Sequence, residues 1–171
     1  DEFIRKMRMS GLISLRGAGR FVDINHIEDK KVEYILNNYS DYEHFEDEHS
    51  YFEYMSKIDN NLISLQAERI SDEQTNDLLT NWIETYEWKK IKDELHILAI
   101  HKTSKDDVLK FLAAPVRLEF LTALAIKSKF PHVSVKPNYS PDDTGLPTST
   151  AGGNKGDIEC YENGKGILVE V

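Results

Sequence analysis

The sequence predicts an α+β fold that is mostly helical, and two observations predict it. Apolar residues recur at helical spacing through 28–39, 42–58, 72–88, 89–101 and 115–129. Strand-like runs flank tight-turn residues at Gly17-Ala18-Gly19 and again at Asn163-Gly164. A chain of 171 residues can build one or two small domains with a real core. No apolar run approaches the length of a membrane span. The single cysteine, Cys160, excludes an internal disulfide and a Cys-based zinc site and fits a reducing cytoplasm.

The first element is a helix over 2–9 with a basic face, ended at Gly11. Residues 12–16 and 20–24 then alternate around the Gly-rich turn, the pattern of a hairpin. A helix followed by a basic hairpin is the order found at the end of a winged-helix domain; the alternative is any helix packed on any hairpin. A net charge of −9 argues against a nucleic-acid binder, because phosphate contacts need Lys and Arg. The distribution softens that objection. Asp41–Glu53 is acidic and carries neither Lys nor Arg, whereas the first twenty residues hold Arg5, Lys6, Arg8, Arg16 and Arg20. Arg5, Arg8, Arg16 and Arg20 are the candidate phosphate contacts.

The acidic stretch reads as a solvated helix face over 42–58. Ser71-Asp72-Glu73-Gln74 caps the helix that follows. His96 and His101 do not share a helix face and read as ordinary histidines. Asp106-Asp107 caps a short helix through Ala113. Pro115 opens the helix 115–129, a short strand follows at 133–135, and 137–156 is a polar loop.

Asn-Gly between two strand-like runs is a strong hairpin signal. With Asn163 and Gly164 as the loop residues, Glu162 faces Lys165. Counting back, Asp157 then faces Glu170, with Cβ atoms about 5 Å apart. Like charges directly opposite repel, and a divalent cation removes the repulsion, since hard ions take clustered carboxylate oxygens. Leu168 and Tyr161 share that face, and the run 167–171 reads as a strand buried on both faces. The alternative is a solvated acid pair; a longer loop through Lys165 or Gly166 would also break the pairing. A third acid, Glu119, is the only one in a helix that is apolar nearly all round, with Val116, Ala123 and Ile126 on its stripe. Burying a lone carboxylate is costly unless it is paired or lies near a cation, and Lys127 or Arg117 are the alternative partners.

Together, Leu118-Glu119-Phe120-Leu121, Leu146-Pro147-Thr148 with Ala151-Gly152 and Asn154, Gly156-Asp157-Ile158-Glu159, and Val169-Glu170-Val171 resemble the type IIS restriction endonucleases of the AlwI-like group. These are PD-(D/E)XK nucleases and include nicking large subunits. The hairpin around Gly11-Leu12 and Arg16-Gly17 resembles the wing that precedes the linker there. The resemblance covers both ends of the chain well and the acidic middle poorly. It implies three parts: the end of a winged-helix-like DNA-recognition domain (1–40), a helical linker (41–112), and the first helix and β-hairpin of a truncated nuclease domain (113–171). It implies Glu119, Asp157 and Glu170 as catalytic residues, with Asp157, Glu170 and Val171 as metal positions for Mg2+. It implies double-stranded DNA as substrate in a bacterial cytoplasm, with a second nuclease subunit or a transient dimer for double-strand cleavage. Two departures stand out. Gly156 replaces the proline that usually precedes the aspartate, and the motif lysine would fall after Val171, although Lys155 is near in sequence.

The chain opens on Asp1-Glu2-Phe3 without Met and stops within an apolar run, which reads as a piece of a longer protein. Such a piece is expected not to cut DNA alone. The competing readings are a non-catalytic DNA- or protein-binding helical module, and a helical interaction protein with a chance acid pair.

Overall fold

The computed structural model describes residues 2–39 and 44–171. The architecture is mixed α+β, mostly helical, with small antiparallel sheets. In chain order the elements are α1 (Glu2–Met9), β1 (Ile13–Arg16), β2 (Phe21–Ile24), α2 (Asp29–Tyr39), α3 (Glu48–Met55), α4 (Asn60–Ser64), α5 (Asp72–Thr85) and α6 (Trp88–Ala99). There follow α7 (Ala114–Lys129), β3 (Ser134–Pro137), β4 (Ser140–Pro141), β5 (Pro147–Ser149), β6 (Ile158–Glu162) and β7 (Lys165–Val169).

α7 organises the core. Pro115 suits its first turn, where an amide would be unpaired anyway, and Lys127 and Lys129 complement the negative end of its dipole. Its apolar residues run all round, so the helix is buried: Phe120, Leu121, Ala123 and Leu124 are fully inaccessible. α5, α6, β3 and β5 all pack against it. Leu79 and Tyr86 from the α5 end, Ile91 from α6, Val135 from β3, Ile158 from β6 and Leu15 from β1 join one continuous cluster. Helices α5 and α6, in the stretch read as a linker, thus share a core with α7. α5 begins with the expected capping box, in which the Ser71 hydroxyl accepts from the Gln74 amide and the Gln74 side chain accepts from the Ser71 amide. At the far end of α7, Lys127 donates to the carbonyls of Pro131 and Val133 and to Asn76 Oδ1, pinning the turn into β3.

β3, β6 and β7 form an antiparallel sheet with β6 in the middle. Asn163 and Gly164 both have positive φ, 50° and 76°, as a type I′ turn demands. Glu162 therefore pairs with Lys165, and the ladder runs back to Ile158 opposite Val169.

Several expectations change. The helix expected over 42–58 is confined to α3, starting only at Glu48; residues 40–43 lie outside the described residues. Asp47 is its cap, its carboxylate accepting from the Ser50 amide, which explains the late start. The short helix through Ala113 is a 3-10 turn, Leu109–Phe111, ended by extended Leu112. The polar loop 137–156 contains the β4–β5 ribbon and buries Tyr139, Asp142 and Leu146. The run 167–171 is not buried on both faces: β7 is an edge strand, with Ile167 and Leu168 largely exposed. Alternation survives only on β6, where Ile158 and Cys160 point inward.

Candidate active site

Glu119 sits in the middle of α7, at 6% exposure. Neither Arg117 nor Lys127, the cations expected to partner it, pairs with it. Arg117 donates to the Lys102 carbonyl, and Lys127 is committed to Asn76, Pro131 and Val133. Its partner is the backbone: Oε2 accepts from the Ala151 amide at 2.9 Å. Ala151 follows β5, which packs on α7, so the loop carries a donor to the one carboxylate of that helix. Burial pushes the Glu119 pKa up, the Ala151 amide opposes the rise, and the negative charge of Asp157 adds to it. The two carboxylates therefore feel each other.

Asp157 enters β6 immediately before the ladder begins and is half-buried. Its carbonyl accepts from the Asn138 amide at 2.9 Å, and its Oδ2 accepts from the Val171 amide at 2.7 Å. The Gly156 carbonyl accepts from Asn138 Nδ2. Gly156 is itself buried, and a Cβ there would lie 2.2 Å from Leu168 Cδ1, so Leu168 occupies the space that a proline ring would need. Glu170 lies one step beyond the last ladder pair, Ile158 opposite Val169, and is exposed. Val171 is 48% exposed. On the same strand face, Glu159 accepts from Tyr161 and from Asn138 Nδ2. Those hydrogen bonds, with the charges of Lys136 and Lys155, hold its pKa below the usual range. Asn138 thus ties together Gly156, Asp157 and Glu159. Nothing in the sequence marks it, because an asparagine after a short strand reads only as a turn residue.

Glu119 Oε1 and Asp157 Oδ1 accept no hydrogen bond among the described residues. These are hard oxygen donors with lone pairs to spare, the chemistry that suits a divalent cation such as Mg2+. Among the described residues no group of three or more His, Cys, Asp or Glu side chains is placed to hold a metal. Mg2+ is commonly held by one or two carboxylates, with water and phosphate oxygens completing its shell, and the spare carboxylate oxygen of Asp157 suits that donor set.

The four N-terminal arginines divide. Arg8 is 2% exposed and spent inside the fold: Nη1 donates to Asp142 Oδ2 at 2.8 Å and Nη2 to the Pro147 carbonyl at 2.8 Å. Its place on the basic face does not put it at the surface. Arg5 donates to Glu2 and to the Lys110 carbonyl. Arg16 makes a two-pronged pair with Asp143. Arg20 is exposed and has no ion pair or side-chain hydrogen bond among the described residues.

The buried glutamate of α7 senses the charge of the aspartate that enters β6, so two of the three expected carboxylates act on each other in this fold. The AlwI restriction endonuclease family matches residues 87–171, from the start of α6 to the last residue, and this part of the chain belongs to that family. The matched part contains Glu119, Asp157 and Glu170. No curated protein and no solved structure matches the chain.

Proposed function

We propose that the protein is a sequence-specific DNA endonuclease, a type IIS restriction or nicking enzyme that hydrolyses phosphodiester bonds of double-stranded DNA with Mg2+. The observation that carries this reading is the buried Glu119 carboxylate on α7 within the electrostatic reach of Asp157, both inside the family-matched segment. Asp157, Glu170 and Val171 would hold the cation, whose role when bound is to activate water and to steady charge on the scissile phosphate. Asp157 is oriented for this by Asn138 at its carbonyl and by the Val171 amide at one carboxylate oxygen. Glu119, desolvated and held by the Ala151 amide, has the raised proton affinity of a group that can take or hold a proton near the reacting phosphate. Arg20, with Arg16 and Arg5 behind it, supplies phosphate contacts. A second nuclease subunit or a transient dimer would cut the other strand.

The test is incubation of the intact enzyme with plasmid and Mg2+. Defined products that disappear with EDTA are expected. Binding of DNA without any cutting, over a range of divalent cations, would replace this reading with a non-catalytic module.

A further inference from the structure

Outside the carboxylate centre, two adjacent residues, Asp142 and Asp143, occupy the turn between β4 and β5. Sequence reading leaves them in a polar loop, yet Asp142 is fully buried. Its Oδ1 accepts from the Thr144 amide at 2.9 Å, the Thr144 hydroxyl at 2.6 Å and the Leu146 amide at 3.1 Å, which closes the turn. Its Oδ2 faces outward from the turn to Arg8 on α1. Asp143 does the same for the hairpin. It accepts from the Ser14 hydroxyl at 2.5 Å, from both Arg16 Nη atoms at 3.1 and 2.6 Å, and from the His26 amide. Its own amide donates to Asn25 Oδ1 at 2.9 Å, and Asn25 in turn donates to the Gly11 carbonyl. Ser14 and Asn25 are both inaccessible.

The hairpin is also held at its tip. Gly19 has a φ of +83°, and a Cβ on it would lie 2.2 Å from the Asp107 carbonyl oxygen, so the turn lies directly on that backbone. Several contacts therefore fasten residues 5–26 to the rest of the chain, the Arg5 bond to the Lys110 carbonyl among them, and those of Arg8 and of the hairpin converge on one dipeptide. That dipeptide leads through β5 to Ala151, whose amide holds Glu119.

We infer that Asp142 and Asp143 are positioning residues: they lock α1 and the β1–β2 hairpin to the strand that leads to Ala151 and so fix which phosphodiester bond reaches the Glu119–Asp157 centre. The inference rests on the nuclease reading above. Successive phosphates of one strand are about 3.4 Å apart along the duplex axis. A hairpin that grips DNA must hold its place relative to the cutting carboxylates to better than that spacing, or neighbouring bonds are cut as well. A charge-assisted, two-pronged pair has the directional stiffness to do this. A contact made only of exposed apolar side chains does not.

The experiment maps cut positions on an end-labelled duplex with the intact enzyme, wild type, Asp143→Ala and Ser14→Ala, and follows amide exchange of residues 12–25 in the same proteins. Ser14→Ala removes one donor to Asp143 without touching either aspartate and guards against misfolding of the first variant. Wild type is expected to cut one bond. Asp143→Ala is expected to spread cutting to adjacent bonds and to speed hairpin exchange about tenfold or more, because hydrogen bonds to a charged group are lost. Ser14→Ala is expected to fall between them. An unchanged cut distribution in both variants, with or without faster exchange, would overturn the inference. Unchanged exchange would do so as well. No cutting by wild type would instead overturn the nuclease reading, and exchange would still report whether the pair pins the hairpin.

Discussion

Arg8 and Asp142 form a buried ion pair whose removal has a calculable cost. Both side chains are essentially inaccessible, at 2% and 0% exposure, and are 2.8 Å apart. In Arg8→Met the Asp142 carboxylate keeps its Thr144 and Leu146 donors but loses the guanidinium it pairs with. In Asp142→Leu the guanidinium stays buried with only carbonyl partners, and the amides of Thr144 and Leu146 lose their acceptor. Breaking one side of a buried pair costs about 3–5 kcal/mol. For a chain of 171 residues each kcal/mol lowers Tm by about 2–4 °C, so each single variant is expected to melt about 6–20 °C lower. The double variant, apolar on both sides, is expected to recover a large part of the loss, with a coupling of about 0.5–3 kcal/mol in the cycle. Thermal melts and urea titrations of the four proteins measure this, with exposed Arg20→Met as the surface control. If Arg8→Met melts no lower than Arg20→Met, Arg8 is not in a buried pair, and α1 presents a free basic face after all.

Two further outcomes follow from the charges. Glu119→Gln keeps an acceptor for the Ala151 amide but carries no charge. Because the Glu119 pKa is raised by burial, wild type loses stability as pH rises from the ordinary glutamate value through the raised one, and the loss persists above it. The variant is therefore expected to match wild type near pH 4 and to be the more stable protein at pH 8, by thermal melting; a constant difference across that range would show that Glu119 is not desolvated. Arg20→Glu is expected to weaken DNA binding and to reduce the slope of log K against log salt by roughly one, as loss of one phosphate contact requires, and an unchanged slope in fluorescence anisotropy titrations would remove Arg20 from the interface.

What the sequence reveals and what it hides both have physical causes. The Asn163-Gly164 register is legible because positive φ at two successive residues leaves little choice of turn, and the pairing of Glu162 with Lys165 then follows. The burial of α7 is legible because apolar residues cover nearly its whole circumference. Partners that depend on distant segments are not legible. Glu119 finds a backbone amide 32 residues away rather than the cations on its own helix. Arg8, on a basic face, turns inward because Asp142 is buried 134 residues later. Asn138 and Asp143 look like turn residues and act as hubs, since hydrogen-bond hubs leave no periodic trace. The exposure of β7 is also unpredicted: an apolar run states a preference for burial, and which surface covers it is decided elsewhere.

In the proposed nuclease, the carboxylate of Asp157 is required to cut DNA and not to bind it. The direct measurement is single-turnover cleavage of a labelled duplex by the intact enzyme and its Asp157→Ala variant in Mg2+, with binding followed in Ca2+. Cleavage is expected to fall about a hundredfold or more while the melting curve and DNA affinity stay close to wild type. Cleavage at the wild-type rate in a folded, DNA-binding Asp157→Ala enzyme would contradict it.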